Sequence, residues 1–228
     1  MFRDLVEKLR VRLFAVVGSR YVQLFVAGFI AALLMVNCLG CGARPRIVSE
    51  TFPAPAVAKL NIDWLDDGGR AHGATCTTWK IGINELATAG HCCAISDAAI
   101  YTINKEPVTV AYEDAVRDIC ILKGTIPGPI LHLAQKDPEL GERVWTWGYP
   151  LGTLLISDGF WSGRDTLDDL PYGVCSVSVA GGASGSPVLN SNNQVIGLLV
   201  AGSTRLQTMT FVVPVEYLTE ALKKLHKA

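Results

Sequence analysis

Hydrophobic and polar positions alternate through much of the chain after residue 70. The stretches TTWKIGINELATA, AAIYTI, PVTVAY, DICILK, RVWTWGY, CSVSVA, QVIGLLVAG and MTFVVPV are short, and many are rich in Val, Ile and Thr. Gly, Pro, Asn and Asp separate them. Successive side chains on a strand point to opposite faces, so a period of two marks a half-buried strand, and β-branched residues suit the pleat. Many short strands with turn signals at roughly ten-residue spacing predict a barrel or sandwich, not an alternation of strands and helices. The period changes at the end of the chain. VEYLTEALKKLHKA sets Leu218, Leu222 and Leu225 on one stripe, with Lys223 and Lys224 off it. This predicts a C-terminal helix packed on the β-structure, its basic end matched to the helix dipole.

The N-terminus has a different pattern. No charged residue occurs from Tyr21 to Ala43, and VQLFVAGFIAALLMVNCLG is almost wholly apolar. Roughly 20 such residues span a hydrocarbon core as a helix. Arg3, Lys8, Arg10, Arg12 and Arg20 precede the run, against only Asp4 and Glu7. Positive charge before a span keeps the N-terminus cytoplasmic and sends the remainder outside. Cys38 and Cys41 lie at the outer edge, and Leu39-Gly40-Cys41 matches part of a bacterial lipoprotein signal. An uncleaved transmembrane anchor, a lipid anchor and a cleaved signal are the three forms this segment could take. The organisation expected is a basic cytoplasmic N-region (1–20), a transmembrane or signal segment (21–41), a proline-containing linker (42–57) and one folded domain (58–228) outside the cytoplasm, periplasmic or at the cell surface.

Composition narrows the function classes. Half of the 228 residues are hydrophobic and the formal net charge is −1. One sizeable domain fits this length. There is no basic stripe with interleaved aromatics, so nucleic acid is not an expected partner.

Three stretches carry candidate chemistry. ATAGH ends in His91, Asp118 opens an alternating strand, and AGGASGSPV sets Ser184 among glycines. A serine hydroxyl is a poor nucleophile until an imidazole takes its proton. The imidazole in turn needs a carboxylate to fix its tautomer and stabilise its cation. A tetrahedral oxyanion needs preorganised N–H donors, and a glycine-rich turn can aim them without a Cβ in the way. Gly182 and Ser184 are the candidate donors. His91, Cys92 and Cys93 also raise a zinc site, although adjacent ligands seldom reach one ion and no CxxC or HxxxH pair completes a tetrahedron. An α/β-hydrolase site is excluded by order, because that fold runs nucleophile, acid, histidine.

In the order His, Asp, Ser, these stretches resemble the trypsin-like serine peptidases over nearly all of residues 70–228. TAGHC, DICIL and GASGSPV are similar to the family's histidine, aspartate and nucleophile motifs. NNQVIGLLVAG resembles a hairpin and strand walling the substrate cleft, and FVVPVEYLTEAL the last strand and helix. GSPVLN, NNQVIG and WGYPLG look closest to bacterial branches, the glutamyl endopeptidases and high-temperature-requirement peptidases. The resemblance implies an all-β fold of two antiparallel six-stranded barrels with a C-terminal helix, following the N-terminal membrane or signal helix. It implies endopeptidase activity on a protein or peptide substrate through His91, Asp118 and Ser184, with no metal or organic cofactor. A catalytically inactive peptide-binding module of the same fold is the alternative.

The resemblance also implies a Cys76–Cys92 disulfide, with Cys93 as the competing partner of Cys76. Export makes disulfides chemically reasonable. Cys120 is read as a buried small side chain, with Cys93 or Cys175 as alternative partners. The substrate pocket is expected near Ser178 at its base and Val200, Ala201 and Gly202 on its wall. No Asp stands at the base and no His on the wall strand, so a small or medium apolar residue is the expected preference. Ala183 replaces the usual Asp or Asn of the nucleophile loop, which argues against activation by a freed N-terminus. With the sequence running to Ala228 just past the terminal helix, a single peptidase module without a PDZ domain is expected.

Overall fold

The computed structural model describes residues 56–227, apart from 168 and 203–208. The chain divides into Met1–Thr51 and Phe52–Ala228, and the described residues all belong to the second unit. The basic N-region, the membrane or signal segment and nearly all of the linker lie outside them. No helix among the described residues is long and apolar enough to cross a membrane.

Twelve strands form two closed antiparallel barrels of six. The first holds β1 (Val57–Leu65), β2 (Ala71–Gly82), β3 (Glu85–Ala89), β4 (Ile100–Ile103), β5 (Glu106–Asp114) and β6 (Ile119–Lys123), in spatial order 1-2-3-6-5-4. The second holds β7 (Arg143–Gly148), β8 (Leu155–Leu167), β9 (Leu170–Cys175), β10 (Pro187–Leu189), β11 (Val195–Gly202) and β12 (Thr210–Pro214), in the order 10-11-12-9-8-7. One helical turn, α1 (Gly90–Cys93), follows β3, and helix α2 (Val215–Leu225) follows β12. Closing each sheet on itself removes the unpaired edges that would otherwise invite aggregation.

The pattern of burial explains the elements. On β1, Leu60 and Ile62 face the core while Lys59, Asn61 and Asp63 stay at least partly exposed, the period expected of a barrel wall. Trp79, Leu86 and Ile121 complete the first core; Val144, Trp161, Ile196 and Val212 pack the second. Each such side chain contributes roughly 1.5–3 kcal/mol by leaving water. On β6 the alternation fails, because Ile119, Cys120, Ile121 and Leu122 are all buried. One face lines the barrel, and α1 covers the other. Residues 195–200 of β11 are likewise buried throughout, with α2 packed on β11 and β12. Leu218 of α2 is fully buried, and Leu222 and Leu225 pack partly against the same core.

One expected strand is shorter than its pattern. CSVSVA continues β9 only to Cys175, and residues 176–180 form no strand. Val177 is buried between partly or fully exposed Ser176 and Ser178, so the alternation is real, but these residues are held individually. Ser176 N–H donates to Phe160 O at 3.0 Å, and Ser178 N–H donates to Ser157 Oγ at 2.9 Å.

Candidate active site

The pairing of β3 with β6 sets Ala89 opposite Ile119. His91, two residues beyond Ala89, is thereby brought to Asp118, one residue before Ile119. Gly90 allows this approach, since a Cβ there would lie 2.8 Å from the backbone nitrogen of Ile119. Asp118 takes φ of 56°, in the left-handed region that Asp tolerates better than most residues. Its carboxylate holds the histidine twice. Asp118 Oδ1 accepts from the His91 backbone N–H at 2.6 Å, and His91 Nδ1 lies 3.0 and 2.9 Å from Oδ1 and Oδ2. The imidazole side chain is 48% exposed and the carboxylate 23%, so the ring meets solvent while its partner is largely sheltered.

Two disulfides bracket this pair. Cys76–Cys92 ties β2 to the turn, and Cys93–Cys120 ties the turn to β6, two residues beyond Asp118. Cys93 therefore takes the Cys120 partner, one of the alternatives left open for Cys120. Cys175 is the free cysteine among the described residues, and burial pushes its thiol up to about 11. Cys76, His91 and Cys92 have their N and S atoms within 4.8 Å of one another, a cluster resembling a metal site. Their two sulfurs are bonded to each other, however, and Cys93 is bonded to Cys120. None is the thiolate that a metal takes as ligand.

The loop carrying Ser184 comes from the second barrel and packs against Thr77 of β2 and the end of β3, just before the histidine turn. Gly185 has φ of 88°, and a Cβ on it would meet Thr77 O at 2.2 Å and Ala89 N at 3.0 Å. No other residue type fits so close to the strand that leads into His91. Within the loop the N–H groups sort cleanly. Ala183 N–H donates to Ala180 O, Gly185 N–H to Leu199 O and Ser186 N–H to Ala183 O. The N–H groups of Gly182 and Ser184 have no acceptor among the described residues. Ala183 itself is buried in the second core, and its carbonyl also accepts from Ser186 Oγ at 2.6 Å, so the loop is fixed without an ion pair at that position. Ser184 Oγ donates to Val200 O at 3.4 Å, and among the described residues it makes no hydrogen bond to His91. A bond of that length is weak, so it does little to hold the hydroxyl against turning to another acceptor. A nucleophile–base bond is often long in a free enzyme and tightens only in the substrate complex.

The residues expected around a substrate pocket fall as follows. Ser178 is exposed on the non-strand segment, Val200 is buried with its carbonyl at Ser184, and Gly202 abuts Val179. Ala201 pairs through its backbone with Phe211. Clefts of about 570 and 750 Å³ occur elsewhere, along Ala134–Asp137, and neither is lined by His91 or Ser184. Sequence reasoning missed Thr77, whose hydroxyl contacts the Ser184 loop. Its signal was only its place beside Cys76.

Two closed six-stranded barrels, with a histidine turn on one and a glycine-rich serine loop from the other, define the architecture of the trypsin-fold serine hydrolases. The chain belongs to the trypsin-like peptidase domain family, whose family model matches residues 75–198, and it is a serine endopeptidase. No curated protein matches the sequence. Among solved structures, the active form of the Rv3671c protease from M. tuberculosis is 22% identical with a TM-score of 0.66, over 80% of this chain and 87% of that one. An inactive serine-to-alanine form of Rv3671c from M. tuberculosis H37Rv is 22% identical with a TM-score of 0.61, over 82% and 96% of the two chains. A serine-to-alanine form of the HtrA-type protease AlgW with a tripeptide is 18% identical with a TM-score of 0.65, over 75% and 60%. At these identities the structural likeness is one of fold.

Proposed function

We propose that the chain is a membrane-tethered, extracytoplasmic endopeptidase working through His91, Asp118 and Ser184. In this reading Ser184 Oγ attacks the peptide carbonyl and passes its proton to His91 Nε2. Asp118 keeps Nδ1 protonated and stabilises the imidazolium. The free N–H groups of Gly182 and Ser184 receive the oxyanion. His91 then returns the proton to the leaving amine, and water hydrolyses the acyl-enzyme by the same steps in reverse roles. The observation that carries the reading is the double hold of Asp118 on His91, which leaves Nε2 as the nitrogen able to accept a proton. The apolar wall at Val200 and the absence of a charge at Ser178 favour a small or medium apolar residue before the cleaved bond. Tethering rests on the uncharged run 21–41 behind its basic flank.

A fluorophosphonate probe applied to the full-length chain in membranes tests this. Wild type is expected to label, and Ser184→Ala and His91→Ala are expected not to. The chain should remain with membranes through an alkaline wash, and deletion of residues 1–43 should release it. A folded wild type that does not label would end the triad assignment.

A further inference from the structure

We propose that Thr77 is a positioning residue for the oxyanion donors, holding the Ser184 loop of the second barrel from a strand of the first. The proposal rests on the triad reading above and deepens it.

Thr77 is fully buried on β2, beside the disulfide-bonded Cys76. Its hydroxyl donates to Gly182 O at 2.8 Å and accepts from Tyr149 N–H at 2.8 Å. Its own N–H donates to Ser184 O at 2.8 Å, and its carbonyl accepts from Thr88 Oγ1 at 2.8 Å. A hydroxyl has one proton to give and lone pairs to receive, so both side-chain bonds form at once. One residue thus grips the nucleophile loop at Gly182 and at Ser184, and a second threonine on the strand leading to His91 grips it in turn.

The effect on the donors follows from peptide planarity. A peptide unit is rigid, so fixing its carbonyl fixes the N–H on its opposite side. Gly181 O is held by Leu151 N–H, Gly182 O by the Thr77 hydroxyl, Ala183 O by Ser186, and Ser184 O by Thr77 N–H. Four consecutive planes are therefore set, and the N–H groups of Gly182 and Ser184 are set with them. The plane between Gly182 and Ala183 lies between the two free donors; its N–H end donates to Ala180 O, and its carbonyl end alone among the four is held by a side chain of the other barrel. Gly182 has φ of 96°, a region open to glycine over wide ranges, so local conformational preference adds little to these two hydrogen bonds in fixing the tilt of the plane. Without the hydroxyl, Gly182 O and Tyr149 N–H lose their shared partner at a part-buried site, and tilting of the plane about its remaining Ala183 N–H bond toward another partner would relieve that cost.

The test uses full-length Thr77→Val, which keeps the shape and removes the hydroxyl, beside Thr77→Ser, which keeps the hydroxyl. Thr78→Val is the control, since the buried Thr78 hydroxyl donates to Ala87 O at 3.0 Å, away from the loop. Fluorophosphonate inactivation separates probe affinity from the chemical step. Removing an oxyanion donor outright costs about 10²–10³ in rate, and misaiming one is expected to cost about 10- to 100-fold. The limiting rate should fall by that factor in Thr77→Val with affinity within about threefold, and should recover in Thr77→Ser. The pH midpoint of the rate should stay at the wild-type value, because His91 and Asp118 are untouched; a purely structural defect would not leave that combination. Equal rates in Thr77→Val and Thr78→Val would overturn the proposal, as would a slow Thr77→Ser. If Thr77→Val does not fold, Thr77→Ala replaces it; should neither fold, the hydroxyl is structural and the proposal fails. A wild type that does not label defeats the triad reading itself, whereas labelling that is indifferent to Thr77 defeats only this inference.

Discussion

Replacing Cys93 and Cys120 together by alanine tests how the second disulfide acts. The bond closes a segment of 27 residues and joins the histidine turn to the strand behind Asp118. In the chain-entropy account, a cross-link over that length removes about 12 cal/mol/K from the unfolded ensemble, or ~3.5 kcal/mol at 25 °C. With a urea slope of about 2 kcal/mol/M for a domain of this size, the unfolding midpoint should fall by ~1.7 M. The Cys76–Cys92 link closes 16 residues, and its removal should cost about 3 kcal/mol by the same relation. The entropic origin makes a second demand. If the bond works by restricting the unfolded chain, the folded site should be almost unchanged, because Asp118 holds His91 by hydrogen bonds of its own. Fluorophosphonate labelling of the folded Cys93→Ala/Cys120→Ala chain should then proceed within about threefold of wild type. Equilibrium urea unfolding followed by tryptophan fluorescence supplies the first number and labelling the second. A midpoint shift under ~0.5 M would refute the entropic reasoning. So would a tenfold loss of labelling with little loss of stability, since the disulfide would then be aligning the site.

Two further outcomes are expected. Asp118→Asn keeps the shape of the site but presents an amide to Nδ1, which favours the wrong imidazole tautomer; turnover should fall about 10³- to 10⁴-fold with little change in apparent affinity, read from peptide-library cleavage at saturating substrate. Cys175 is neutral in the fold up to about 11, whereas an unfolded thiol ionises nearer its ordinary value. Its folded pKa is raised, so its contribution to stability is complete below the unfolded value and is lost as pH climbs toward 11. Cys175→Ala should therefore remove part of the alkaline fall in stability over that window, and peptide mapping after iodoacetamide at pH 8 should find Cys175 modified only in denaturant.

Much of this protein is legible in one dimension. The period of two in TTWKIGINELATA and QVIGLLVAG, the helical stripe of VEYLTEALKKLHKA and the three motifs around His91, Asp118 and Ser184 are local signals, and local signals survive in sequence. β1 carried an equally clear alternation, Leu60 and Ile62 against Lys59, Asn61 and Asp63. β8 hid its own, because Leu155, Ile156 and Phe160 are exposed and glycines interrupt it. On β6 every residue from Ile119 to Leu122 is apolar and buried, so its two-faced cover by core and α1 could not be read from its own pattern.

What the sequence by itself determined is the chemistry on offer: a histidine, an aspartate and a serine in order, a loop able to present N–H groups, and strands enough for barrels. What only the tertiary structure decided is which groups meet. Cys93 chose Cys120, 27 residues further on, because the β3–β6 register brings the turn to that strand. Thr77 came to hold the Ser184 loop across more than a hundred residues of chain because two barrels closed against each other. Pairings of that range depend on which surfaces fit when the cores are buried, and no local period records them.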